Sequence, residues 1–166
     1  MVKNNLVKQG FTLIEILVVV IAIGLFFGLS LRYFNDFNEV KKLEYESEKI
    51  AETLRQARKS ALSGDRSQLS GETCILSGYR VDVSVSENAY SQFAICDGDK
   101  LVSQTDLPLE INPCQSASIF FKQFGLGATD GLIKIINTRS SKCREISINE
   151  SGDINISNLI NNCSCN

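Results

Sequence analysis

Apolar and polar positions divide the chain into three stretches with different periods. Residues 11–31 form a run of 21 almost wholly apolar residues, and Glu15 places one charge inside it. A helix of that length measures roughly 31 Å, which matches the hydrocarbon core of a membrane. We therefore expect residues 11–31 to form a transmembrane helix. Lys3 and Lys8 precede this run, so the positive-inside rule predicts a cytoplasmic N-terminus and an exported remainder.

A cleaved secretory signal peptide is the alternative for this run, because such peptides also begin with basic residues and continue with apolar ones. Three features disfavour it. The run is longer than the apolar region of a signal peptide, no small-x-small cleavage site follows it, and Glu15 would lie inside that region. A lipoprotein signal is excluded because the first cysteine is Cys74.

The second stretch has the period of an amphipathic helix. Ser63-Gly64-Asp65 is typical of a helix end, with Gly64 suited to a left-handed cap. The pattern predicts one helix from Phe11 to Ser63, whose second half, residues 32–63, packs on a globular head. A free coiled coil is the alternative, and the small residues at the end of the stripe favour contact with a sheet instead. The stripe consists of Tyr33, Phe37, Val40, Leu43, Ser47, Ile50, Leu54, Ala57 and Ala61.

After Gly64 the period changes to the alternation that is typical of strands. Turn signals such as Asp97-Gly98-Asp99 separate the predicted strands, and no second long helix is evident. We therefore predict an α+β fold, in which a long N-terminal helix with a transmembrane half and an amphipathic half packs on a mainly antiparallel β-sheet head, residues 64–166. The predicted strands are YRVDVSV, SQFAIC, KLVSQ, PLEI, SIFFKQF, LIKIIN, CREISIN and INIS.

Composition narrows the range of functions. The formal net charge is −2, which disfavours a protein that binds polyanions over its whole surface. The chain has no histidine, so it lacks the commonest general base and the commonest transition-metal ligand. It also lacks a nucleophile elbow, a P-loop and a convincing pair of carboxylates. We expect no enzyme activity, no metal and no cofactor.

Six cysteines, all after the apolar run, predict disulfides in an exported head. Metal binding is the rival interpretation, but no pair has CxxC…CxxC spacing. Cys74 and Cys96 flank the first predicted hairpin and could bridge it. We expect Cys163 and Cys165 to reach Cys114 or Cys143 rather than each other, because a C-x-C ring is strained.

The string KQG followed by FTLIEILVVVIAIG closely resembles the processing site of type IV prepilins and type II secretion pseudopilins. This resemblance implies that a prepilin peptidase removes residues 1–10 as a cytoplasmic leader by cleaving after Gly10. Phe11 would then be the N-methylated mature N-terminus. Glu15 matches the glutamate that the family carries four residues after that terminus. The resemblance also implies a type IV pilin-like fold.

The position of Glu15 has a physical explanation in a filament. A carboxylate among packed apolar helices needs a cation, and the amine of Phe11 on a neighbouring subunit is present in every copy. We therefore expect Glu15 to act in assembly, and the alternative is a carboxylate that reaches the lipid headgroups. Gly24 and Gly28 have the small-xxx-small spacing of closely packed membrane helices; local bending and plain tolerance of glycine are the other interpretations.

Four later segments resemble the H-type minor pseudopilins (general secretion pathway protein H) and related minor pilins. They are LRQARKSALSGD, GYRVDV, SIFFKQFGLGATDG and REISINESGDI. The resemblance implies a minor subunit of a type IV pilus or a type II secretion pseudopilus. Its partners would be other pilin or pseudopilin subunits, the prepilin peptidase that also N-methylates, and an inner-membrane assembly platform. It would reside in the cytoplasmic membrane as a single-pass protein and then in a filament in the periplasm or at the cell surface.

A DNA-binding minor pilin of a competence pilus is the alternative function. The segment KIINTRSSKCRE supplies Lys134, Arg139, Lys142 and Arg144 against one carboxylate, Glu145. Such a hairpin could hold a few phosphates in weak, salt-sensitive binding. A solvated hairpin on an acidic protein is the simpler interpretation of the same residues.

Overall fold

The structure, a computed structural model, describes residues 11–67 and 75–165, and for residues 27–33 it describes the backbone alone. The predicted leader with its cleavage residue Gly10 lies outside the described residues, as does Cys74. The chain divides into two compact units, residues 1–38 and residues 39–166. Within the described residues, no helix has both the length and the apolar character needed to cross a membrane.

The α-helix α1 runs from Leu13 to Ser63. It begins two residues later than predicted because Thr12 is its N-cap: the backbone N–H of Glu15 donates to Thr12 Oγ1 at 3.3 Å. The predicted end at Ser63 is confirmed. Gly64 has φ +60°, and the N–H of Gly64 donates to the carbonyl of Ala61, as typical of a Schellman cap.

In the part of the chain that the structure describes, eight strands follow the helix, close to the segments that alternate in the sequence. The fold is therefore α+β with antiparallel sheets, as predicted. A 3₁₀ turn, Gln123–Gly125, interrupts the series. The strands are β1 Gly78–Ser84, β2 Ala89–Ile95, β3 Asp99–Asp106, β4 Ile111–Pro113, β5 Ala117–Lys122, β6 Gly131–Asn137, β7 Lys142–Ile148 and β8 Ile154–Ile156.

The strands form two four-stranded antiparallel sheets, which the sequence pattern did not distinguish. Sheet A has the order β3-β2-β1-β5, and sheet B has the order β4-β6-β7-β8. In sheet A, β1 lies between β2 and β5, so the chain leaves this sheet after β3, forms β4 in sheet B and returns. Sheet B is built from the β6–β7 hairpin with short strands on both sides.

The core of the second unit lies between the inner face of α1 and both sheets. From Leu43 onward the predicted stripe is buried, and Ile50 and Leu54 are fully covered together with Val81 and Ile133 of the sheets. The contact is therefore with sheets, and the coiled-coil alternative fails for this part of the helix. The predicted stripe began too early, because Phe37 is 48% exposed. It was also too narrow, because Glu46, which is not part of the predicted stripe, is buried as well.

Candidate functional site

The first unit presents an apolar helix surface to its surroundings. Phe11 is 78% exposed and Leu13 is 84% exposed, and the large apolar side chains from Ile14 to Phe26 are also exposed. A helix that is apolar on every side has no face that water favours, so it is stable only among other apolar groups. Within a continuous helix this exposure extends over about four turns. The segment is therefore a surface that requires a partner or a membrane.

Glu15 lies in the first turn of this apolar helix and is exposed. Within the described part of the chain, its carboxylate takes part in no ion pair. Thr12 and Glu15 have the spacing of a capping box, in which the N-cap hydroxyl accepts the N–H of the glutamate. A carboxylate at this position also faces the positive end of the helix dipole. The Thr-x-x-Glu pattern was legible in the sequence, but we did not predict Thr12 as the cap.

The two glycines predicted to allow close helix packing are Gly24 and Gly28. A Cβ added at Gly24 would meet no atom within 4 Å, so this position is open in the single chain. The position therefore has room for a neighbouring helix to approach closely. The side-chain surroundings of Gly28 lie outside the described residues.

Two disulfides attach the C-terminal segment to sheet B. Cys114 is bonded to Cys165 across a Cα–Cα distance of 4.8 Å, and Cys143 is bonded to Cys163 across 5.9 Å. Both pairs follow the expectation that the last two cysteines reach Cys114 or Cys143 rather than each other. Cys96 is also disulfide-bonded. The prediction that joins it to Cys74 involves a residue outside the described part.

Backbone hydrogen bonds hold the same C-terminal segment along β7. The N–H of Ile160 donates to the carbonyl of Cys143 at 2.9 Å, and the N–H of Cys143 donates back to Ile160 at 3.0 Å. Cys163 N–H donates to the carbonyl of Ser141. The tail is therefore fixed by covalent and hydrogen-bonded contacts together.

The basic residues of the β6–β7 hairpin do not form one patch. Lys134 is directly opposite Glu145 in the sheet, and their charged atoms are 3.8 Å apart. Arg144 is next to Glu145 in β7 and points to the opposite face, since neighbouring residues of a strand alternate. There its Nη1 donates to Ser47 Oγ of α1 at 3.0 Å. Lys142 is the first residue of β7.

Arg139, in the turn of the same hairpin, is 64% exposed but is also ion-paired. Its guanidinium is 3.2 Å from Glu110 and 3.9 Å from Glu39. Three of the four basic side chains therefore face carboxylates of the same unit. Little positive charge remains for a phosphate backbone.

Asn137 joins this hairpin to α1, and it was not among the predicted residues. Its side chain is fully buried. Its Nδ2 donates to Glu39 Oε2 at 2.9 Å and to the Glu39 carbonyl at 3.2 Å. Its Oδ1 accepts the N–H groups of Arg139 and Ser140, which closes the turn. One amide thus fixes the hairpin against the helix.

The same contacts lower the pKa of Glu39. The hydrogen bond from Asn137 is the largest cause, and the positive charges of Lys42 and Arg139 act in the same direction against the effect of burial. The sequence did not indicate the contact between Asn137 and Glu39, because the two residues are far apart along the chain. An asparagine at the end of a strand usually indicates a turn alone.

No group of three or more His, Cys, Asp or Glu side chains within the described residues has the arrangement of a metal site. Asp99, beside the predicted Asp97-Gly98 turn, is 2.6 Å from the guanidinium of Arg80, which is also 2.8 Å from Asp82. These carboxylates therefore belong to an ion-pair network on the outer face of sheet A.

Comparisons of the chain with protein-family models, with curated proteins and with solved structures find no match.

Proposed function

We propose that this chain is a subunit of a type IV pilin-like filament, a minor pilin or pseudopilin of a type IV pilus or a type II secretion pseudopilus. One observation carries the proposal: a helix with exposed apolar side chains on every side has in its first turn a carboxylate, Glu15, that forms no ion pair within the described residues. The sequence KQG directly precedes this segment, which begins with FTLIE. A disulfide-bonded α+β unit at the other end of the chain agrees with an exported head.

Assembly follows from the charges and the apolar surface of this helix. Side chains such as Leu13 and Ile14 lose their contact with water or lipid when helices of several subunits pack together. In that packed core Glu15 needs a cation, and the amine of Phe11 in a neighbouring copy supplies it. The pair forms at one axial offset between subunits, so it sets the register of the filament as well as joining it.

The proposal defines the partners and the location. A prepilin peptidase would cleave after Gly10 and methylate Phe11, and an inner-membrane assembly platform would receive the mature subunit. The precursor would sit in the cytoplasmic membrane with its head exported. Other pilin or pseudopilin subunits would surround the helix in the filament. On this proposal the chain is a substrate of processing enzymes and has no catalytic role.

The DNA-binding alternative is not proposed, because no observation favours it. Lys134 and Arg144 lie on opposite faces of sheet B, and both face carboxylates. Arg139 is exposed but shared between two glutamates. A phosphate would have to displace these carboxylates from the basic side chains. Such an exchange replaces one anion by another, so it would add little binding free energy.

Processing of the N-terminus tests the proposal. In cells that make the filament, the mature chain should begin Phe-Thr-Leu-Ile-Glu with a methylated first residue, as read by mass spectrometry of its N-terminal peptide. Gly10→Leu should leave the full-length precursor in the membrane. Gly24→Leu is the matched control, since it makes the same exchange at an open glycine and should be cleaved normally. A mature terminus beyond Leu31 would overturn the proposal.

A further inference from the structure

A second exposed apolar surface lies in the head, at the C-terminal end of α1. It consists of Leu62, Phe124 and Leu126 with the cations Lys59 and Lys122, and we name it the cap surface. Phe124 is 69% exposed and Leu126 is 74% exposed. They belong to one surface: the cap glycine Gly64 lies against the ring of Phe124, and the methyl group of Leu62 lies against Gly125.

The backbone at Phe124 is strained. Its φ is +56° and its ψ is +27°, a left-handed conformation that bulky side chains rarely adopt. Such strain persists where surrounding structure enforces it and is concentrated at functional positions. Here the strain places an aromatic ring at the surface. Exposed aromatic side chains of this kind are typical of the centres of protein interfaces.

The charges of the cap surface indicate the chemistry of its partner. Within the described part of the chain, neither Lys59 nor Lys122 takes part in an ion pair. A cleft of about 110 Å³ is lined by Lys122, Arg58 and Leu62, among others. Two unpaired cations beside the exposed side chains of Phe124 and Leu126 suit a partner that carries carboxylates and an aliphatic side chain.

Strand β3 of the same chain has that chemistry. Asp97 precedes it, Asp106 ends it, and Leu101 between them is 56% exposed. One lysine, Lys100, lies in the same segment. Strand β3 is an edge of sheet A, and almost all of its residues are exposed, so its outer side lacks a neighbouring strand within the described residues. Uncovered edges of this length are usually protected or paired.

The two surfaces cannot meet within one molecule. Lys122 ends β5 at the opposite edge of sheet A from β3, and three strand spacings separate these edges by about 14 Å. We infer that the β3 edge of a second copy docks on the cap surface, with Leu101 of that copy against Phe124 and Leu126 and its Asp106 near Lys122. Contact between two different surfaces is heterologous, so it joins two copies without closing into a symmetric dimer. The inference rests on the proposed filament and names a head contact within it.

Photocrosslinking of the full-length chain tests this contact. p-Benzoylphenylalanine at position 124 keeps an aromatic ring there and reacts with its neighbour on illumination in filament-producing cells. We expect an adduct with the mass of two chains, in which mass spectrometry joins residue 124 to the segment 97–106. Adducts with another segment, another protein, lipid or nucleic acid, or no adduct at all, would overturn the inference.

Charge reversal separates docking from a fault in folding. Lys122→Glu and Asp106→Lys should each reduce the adduct severalfold, and a chain with both changes should recover most of it, because the interacting charges are exchanged. Lys41→Glu, about six helical turns from Leu62, is the matched control and should leave the yield unchanged. Failure of the double variant to recover would count against the contact. In the same cells, normal cleavage after Gly10 without the adduct would refute this inference alone, whereas loss of cleavage would refute the proposed function.

Discussion

Two isoleucines show that the same residue type is exposed in one unit and buried in the other. Ile14 in the first unit is 70% exposed, and Ile133 in the second is fully buried. Residues 11–26 are apolar on every side of a helix, so no single face can be covered by the rest of its own unit. Strand β6 alternates, so Ile133 and Ile135 share one face that α1 and the sheets cover.

The difference shows two roles of apolar residues: in the second unit they stabilise the fold, and in the first they are available for association. The second unit buries its own apolar groups and is stable through them. The first unit leaves its apolar groups exposed, so its free energy depends on lipid or on other helices. Substitutions that are chemically identical should therefore act on stability in one unit and on association in the other.

The largest expected effect comes from a carboxylate placed in each unit. Leu54→Asp buries an unpaired charge in the core and should lower the free energy of unfolding by about 4–5 kcal/mol. Leu17→Asp is the matched control at a half-exposed position and should leave head unfolding within about 0.5 kcal/mol. Chemical denaturation of both full-length variants in detergent, followed by circular dichroism, measures the difference. Equal losses would contradict the separation of the two units.

Removal of the disulfides should have the next largest effect. The Cys114–Cys165 bond joins residues 51 apart and should contribute about 4 kcal/mol, while Cys143–Cys163, across 20 residues, should contribute about 3 kcal/mol. Replacing each pair by serine and measuring the melting temperature tests this order. The apolar helix contains no cysteine, so reduction should leave its membrane retention unchanged. A chain isolated from the periplasm or cell surface with six reactive thiols would contradict the disulfide-bonded head.

A smaller and pH-dependent effect is expected at Asn137. Asn137→Asp keeps the turn but loses the two donated hydrogen bonds and places a carboxylate against Glu39, at a cost of about 2 kcal/mol at neutral pH. The folded-state pKa of Glu39 lies below its ordinary value of 4.5, so its contacts stabilise the wild type above that value and are lost as the pH falls through the folded pKa. Acid should therefore destabilise the wild type and narrow the gap to the variant. Asn155→Asp, at an exposed position of β8, is the control and should show no such convergence. A gap that widens in acid would contradict this role of Glu39.

The smallest effect on stability is expected at Glu15. Glu15→Ala and Glu15→Gln should be cleaved, remain in the membrane and melt as the wild type does, since Glu15 belongs to the first unit. Both should enter filaments poorly, because the charge that meets Phe11 of a neighbour is lost. Filament yield and crosslinking between subunits measure this loss. Incorporation of Glu15→Ala at the wild-type level would indicate a carboxylate that only reaches the headgroups.

Local patterns predicted most of the elements. The end of α1 at Ser63 followed from Gly64, and the strands followed from alternation and turn residues, because both signals act over a few neighbouring residues. The burial of Glu46 was not predicted, because its side chain is polar and lies outside the apolar stripe. Only the sheets that pack on the helix decide that it is covered.

The predicted basic hairpin shows the limit of a linear interpretation. Lys134, Arg139 and Arg144 are close in sequence, yet the strand alternation and the turn direct them to different carboxylates.

The cap surface was missed for the opposite reason. Leu62 and Phe124 are far apart in sequence, and each alone is an ordinary exposed residue.

The sequence by itself determined the long helix, its C-terminal cap at Gly64, the strand segments, the apolar segment with its one carboxylate, and the expectation of disulfides. These depend on backbone preferences and periodicity, which are local. The tertiary structure alone decided how the strands divide between two sheets, which of Cys114 and Cys143 meets Cys163, and how Asn137 reaches Glu39. It also decided that Phe124 and Lys122 form one surface. These relations join residues distant along the chain, and their energies exist only once folding has brought both partners together.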